Sequence, residues 1–185
     1  MLDKYISLFP SLDKGTIMSR MEKLTERVLL LEKDLLEQKN TVSQVNLKKL
    51  KDYQSQVAGL YIRTLEELLV QMDKKSTNGE LNEVFKESAF HRALIACCIE
   101  IVFFVNNNSS IAFVSLLEKC EIQAFDFWRV IAYFARSDPQ IPFPIKKHLY
   151  DIEVKIITQL AWRKGSQMHQ LVKSYFQESM KKGRI

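Results

Sequence analysis

The run Phe90-His91-Arg92-Ala93-Leu94-Ile95-Ala96-Cys97-Cys98-Ile99-Glu100-Ile101-Val102-Phe103-Phe104 limits what this chain can become more than any other segment. It is too long for a strand, and a helix this apolar on all sides must be covered by other helices. Ala93, Ala96 and Cys97 share one face at helical spacing, which lets a neighbouring backbone come close. The stretch 88–105 carries His91, Arg92 and Glu100 and falls short of the roughly 20 apolar residues a bilayer core requires, so it reads as a buried axle and no membrane contact is expected.

The rest of the chain supplies the cover. Hydrophobic residues make up 46% of the 185, enough for a real core, while only 5 Gly and 4 Pro are present, too few for the turns of an all-β fold. The fold class is all-α. From about Asp13 to Lys39 the residues Met21, Leu24, Val28, Leu31 and Leu35 repeat with a helical period. That stripe is read as packing on its own domain, because two heptads are short of what sustains a free coiled coil. A second helix spans about 44–74 with Leu47, Leu50, Val57, Leu60, Tyr61, Leu65, Leu68 and Leu69 on its apolar face, and Lys74 to Gly79 breaks it. An amphipathic turn at Leu81 to Phe85 leads into the axle. Beyond the axle come a polar loop at 106–110, short helices at about 111–119 and 124–136, and an irregular stretch between Pro139 and Pro144. Pro144 is expected at N1 of a helix running to Trp162, closed by Arg163, Lys164 and Gly165. Ser166 then caps a last helix with Leu171, Val172, Tyr175 and Phe176 on its apolar side. This divides the chain into N-terminal helices packing on the box (1–79), a helical box (80–180) and a frayed tail (181–185).

Chemistry is sparse. His91, His148 and His169 have no His or Cys at metal-ligand spacing, and adjacent Cys97 and Cys98 lack the CxxC spacing of a zinc site. Three cysteines do not make a disulfide framework, and a reducing, intracellular compartment is expected. No Gly-rich phosphate loop or nucleophile motif occurs, and Glu66 and Glu67 read as solvated surface, so the chain is read as a non-enzyme without metal or cofactor. Charge is the better guide to a partner. Residues 1–87 balance 14 basic against 14 acidic side chains, whereas 88–185 hold 13 basic against 8 acidic, so the whole excess of +5 lies in the second half. That excess favours an acidic partner. Long Lys or Arg runs are absent, which argues against direct nucleic-acid binding.

Four blocks carry a resemblance. Phe90 to Cys97 followed by Glu100, Ala124-Phe125-Asp126-Phe127-Trp128-Arg129-Val130-Ile131, Lys147-His148-Leu149 with Glu153, and Leu160-Ala161-Trp162 resemble, in order and spacing, the first cyclin-like box of retinoblastoma-family pocket proteins, the A domain. Leu60-Tyr61-Ile62-Arg63 looks like the helix just upstream of that box, so the resemblance covers about 55–172. It implies a cyclin-like five-helix domain with preceding N-terminal helices, centred on the segment 88–105. It also implies a nuclear corepressor of transcription controlling cell-cycle entry at G1/S, regulated by cyclin-dependent kinases. In that family the acidic transactivation segment of E-two-promoter-binding factors lies along the boundary between the A and B boxes. Carried over by motif position, the partner-binding residues here are Arg63, Arg129, Arg136, Lys147 and Glu153.

Two positions depart from the family pattern: Ala132 stands where Glu is frequent and Tyr150 replaces an acidic residue, both removing negative charge. The B box, which carries the cleft for LxCxE peptides, has no counterpart in these residues, so the resemblance implies half a groove completed by a B box of the same or a companion chain. No Ser-Pro or Thr-Pro occurs, so proline-directed kinases have no consensus site here. The alternatives are a kinase-activating cyclin-type subunit, which shares the fold, and a helical or coiled-coil adaptor built on 14–39.

Overall fold

The computed structural model describes residues 14–38, 44–75, 87–107, 111–138, 140–160, 162–163, 165–166, 169–170, 173–174 and 177. They form helices and connecting turns, with no strand among them. In chain order the helices are α1 (Lys14–Gln38), α2 (Gln44–Lys75), α3 (Ser88–Val105), α4 (Phe113–Lys119), α5 (Ala124–Ser137) and α6 (Phe143–Lys155), which runs on into a π-helical turn, Ile156–Leu160. The expected amphipathic turn at 81–85, the side chains of Leu31, Leu35, Leu47 and Leu50, the apolar side of the last helix and the tail lie outside the described residues.

α3 is the axle. Every residue from Ala93 to Ile99 is buried, with Ala93, Leu94, Ile95, Ala96, Cys97 and Cys98 sealed off completely. Of the described helices it alone is long and apolar enough to cross a membrane, and 67% of it is covered by the rest of the bundle. It touches α1, α2, α4, α5 and α6, the arrangement an all-round apolar helix demands. α1 turns Met21, Leu24, Thr25, Val28 and Leu29 inward, and it packs on α2, α3 and α4. α2 contributes Val57, Tyr61, Leu65, Leu68 and Leu69 to the same continuous core.

Polar ties set the register of the packing. The Tyr61 hydroxyl and His91 Nδ1 lie 2.9 Å apart across the buried α2–α3 contact. Burial pushes the Tyr61 hydroxyl far above its ordinary range, so it stays a neutral hydrogen-bonding group. Burial likewise raises the thiols of Cys97 and Cys98, and Cys120 is pushed up to about 12 despite nearby Arg27 and Arg92. These thiols remain protonated and serve as small core residues.

α6 corrects one expectation. Pro142, with φ −56° and ψ 141°, is the N-cap, and the helix starts at Phe143, which places Pro144 one position inside N1. That costs nothing, since the first-turn N–H groups have no intrahelical partner. The far end is also different: α-geometry stops at Lys155 and the π turn carries the chain to Leu160, short of Trp162. Thr158 Oγ1 donates to the Val154 carbonyl at 2.8 Å, a side-chain bond that competes with the backbone ladder at this point. Gly165 follows with φ +88°, a left-handed value open to glycine, and the Ser166 hydroxyl accepts the His169 backbone N–H at 3.1 Å, the expected cap.

Candidate partner-binding surface

α5 and α6 carry the exposed charge. In α5 the residues Phe127, Val130, Ile131 and Phe134 face the core, which leaves Arg129, Ala132 and Arg136 on the outer side at steps of three and four. The Asp126 carboxylate accepts the Gln123 backbone N–H at 3.2 Å, fixing where α5 starts, and Arg136 in the last turn complements the helix dipole.

α6 is apolar on two opposed faces. Leu149, Ile152 and Ile156, with half-buried Ile145, pack inward. Phe143, Lys147, Tyr150, Val154 and Ile157 step four, three, four and three along the other side, and all are exposed. Phe143 is 76% exposed and Tyr150 62%, values that an aromatic side chain does not keep once it has been given something to cover. A helix of a globular domain normally needs one apolar stripe, and α6 carries a second that no described residue covers.

The predicted site residues divide into engaged and open groups. Arg63, on α2, donates to Asp138 at 2.8 Å just past the end of α5. There Gln71 also donates to the carbonyls of Arg136 and Ser137, at 2.8 and 3.4 Å, closing the C-terminus of α5 against α2. Arg129 pairs with Glu87 at 3.2 Å. The Glu153 carboxylate accepts the Trp128 indole N–H at 2.8 Å, tying α6 to α5. Lys147 and the side chain of Arg136 are exposed and meet no polar partner among the described residues. The structure therefore gathers Arg63 and Arg136 at one end of α5, and it sets Lys147 in the middle of the apolar stripe.

The sequence reading missed the stripe. Its signal was the spacing 143, 147, 150, 154, 157, which runs parallel to the buried set 145, 149, 152, 156 on the same helix. His148 was also overlooked as a tie: its Nε2 lies 3.0 Å from Glu100 Oε1, and its ring stacks on Phe104 with centroids 4.0 Å apart. This contact couples α6 to the one acidic residue of the axle. No group of His, Cys, Asp and Glu among the described residues is placed to hold a metal ion.

Comparison with known proteins gives this surface a context. A family model described as the retinoblastoma-associated protein A domain matches residues 2–172, reaching well upstream of the motif blocks. Retinoblastoma-related protein 1 of Triticum aestivum is 34% identical over 110 residues, covering 60% of this chain and 12% of that protein. Retinoblastoma-related protein 3 of Zea mays is also 34% identical over 110 residues, 60% of this chain and 11% of that protein. Retinoblastoma-related protein 1 of Nicotiana tabacum is 29% identical over 115 residues, 62% of this chain and 12% of that protein. The chain therefore spans only a small part of the length of the curated relatives it matches. With its conserved-order blocks seated on one bundle around α3 and the family match running over most of its length, the chain belongs to the retinoblastoma-associated A-domain family, the first cyclin-like box of pocket proteins.

Proposed function

We propose that this A domain is a non-enzymatic binding scaffold of a nuclear transcriptional corepressor that controls cell-cycle entry, and that it forms half of the groove for the acidic transactivation segment of E-two-promoter-binding factors. The observation that carries this reading is the outer face of α6, where an unpaired cation, Lys147, sits among exposed Phe143, Tyr150 and Val154. A segment that alternates carboxylates with apolar side chains matches such a face in both respects. Arg136 extends the positive charge onto α5, and the basic excess of 88–185 draws the acidic segment in over a longer range.

The roles of the site residues follow from their present partners. Lys147 and Arg136 are ready to meet carboxylates. Arg63 and Arg129 must loosen Asp138 and Glu87 to do so, and each exchange returns less than a new pair would. Glu153 acts through Trp128, holding α6 at its angle to α5. The exposed apolar residues of α6 are covered when the B box and the segment assemble on this side, which makes the B box an obligatory partner. Cyclin-dependent kinases act on this assembly from sites outside these residues.

Titration of an acidic transactivation peptide against the domain, alone and mixed with a B box, tests the reading. Weak binding alone and tight binding with the B box are expected. Lys147→Glu should cost about tenfold or more in affinity, since it replaces an attraction with a like-charge contact. Binding that ignores charge reversal at Lys147, Arg136 and Arg63, or that never appears with both boxes present, rejects the site.

A further inference from the structure

The hollow between α1 and the start of α3 plays no part in the reading above. Arg20, Lys23 and Arg27 follow one another along α1 at steps of three and four, so they share a face, and α3 adds Arg92. These four cations line a hollow of about 530 Å³ together with Ser19, Ser88 and a single carboxylate, Glu121. Gathering like charges is unfavourable unless something negative offsets them.

Two details show that the offset is incomplete. The Nε–H of Arg92 is buried with no hydrogen-bond partner, and its Nη1 reaches Ser88 Oγ only at 3.3 Å. A buried guanidinium N–H left unmatched is costly, and such groups ask for an explanation. The second detail is Glu121 itself. α4 ends with the Ile122 N–H bonded to the Leu117 carbonyl and the Glu121 N–H bonded to the Glu118 carbonyl, both at 3.1 Å, the double closure whose left-handed residue is ordinarily glycine. Here that residue is Glu121, at φ 54°, and its carboxylate reaches Arg27 at 2.7 Å. A strained backbone position therefore holds the one internal anion of the hollow.

We propose that this hollow is a binding site for a phosphate monoester, the side chain of a phosphorylated serine or threonine in a peptide, with Glu121 as a built-in competitor. A phosphate brings nearly two negative charges and three acceptor oxygens, against one charge for Glu121, and guanidinium forks match it in paired fashion. The hollow has room for the residue that carries the phosphate as well as for the anion. The cations converge on one concavity and do not run along a groove, so they suit a single dianion better than a nucleic-acid backbone.

The test uses the whole chain and fluorescence anisotropy with a labelled phosphoserine peptide in neutral flanks, its unphosphorylated twin, inorganic phosphate as competitor and a single-stranded DNA oligonucleotide. The phosphopeptide should bind saturably, the twin should not, and inorganic phosphate should compete while binding more weakly. Lys23→Gln and Arg27→Gln, both at exposed positions where the fold is safe, should each weaken binding about tenfold. Glu121→Gln should tighten it, and Arg129→Gln and Arg136→Gln should leave it unchanged. Equal losses in the Arg129 and Arg136 variants, binding of the twin, phosphate alone binding as tightly as the peptide, DNA binding more tightly than the peptide, weaker binding in Glu121→Gln, or no saturable binding would each overturn the proposal. The α6 face takes no part in this readout, so failure here leaves the acidic-segment reading standing.

Discussion

The axle α3 and the outer face of α6 are both rich in apolar residues, yet they have opposite fates. Along α3 the apolar side chains from Ala93 to Phe103 are covered, and two of its polar groups are matched, His91 by Tyr61 and Glu100 by His148. On α6 the stripe from Phe143 to Ile157 is bare, and its lysine has no partner among the described residues. Buried area is concentrated in the first region, and exposed apolar area in the second. Marginal domains cannot afford large exposed apolar stripes without a use for them.

Substitutions should separate the two regions. The largest effect is expected from Leu94→Ala in the axle, about 3 kcal/mol of lost stability from transfer and cavity terms, measured by urea denaturation. If that variant unfolds no earlier than the parent, α3 is not the centre of the core. Next comes Tyr61→Phe, which strips His91 of its buried partner hydroxyl and should cost about 1–2 kcal/mol. Phe143→Ser should invert the pattern: stability within about 0.5 kcal/mol of the parent, but weaker association with a B box by calorimetry. A loss of stability there as large as in Leu94→Ala would mean that the stripe belongs to the core after all. The smallest effect is expected at Arg63→Gln, which removes an exposed pair with Asp138 and should lower the unfolding free energy, read from urea denaturation, by no more than about 0.5 kcal/mol.

Much of the fold could be read directly. The sequence pattern placed α1, α2, α3 and α5 within a residue or two of their observed ends, because α1, α2 and α5 each carry one apolar face at helical period and α3 is apolar all round. The end of α6 was less legible. A π turn at Ile156–Leu160, beside the Thr158 hydroxyl bond to the Val154 carbonyl, ends the α-geometry, and periodicity does not register such a change of ladder.

The site was legible as a set of charges and not as a set of partners. Arg63 finds Asp138 75 positions away, and Arg27 finds Glu121 94 positions away. Glu153, a candidate contact by motif position, is tied to Trp128, 25 residues before it. No spacing rule along one helix can report such pairs, because they exist only where two elements meet.

Composition and period alone settled that the chain is helical, that 88–105 must be enclosed, and that positive charge accumulates in the second half, since these depend on residue type and local geometry. Tertiary packing decided which of two apolar stripes on α6 is covered, which arginines are already paired, and that four cations from α1 and α3 converge around one glutamate. Burial and long-range pairing belong to the arrangement of helices in space, and a single helix carries no information about which of its faces will be met.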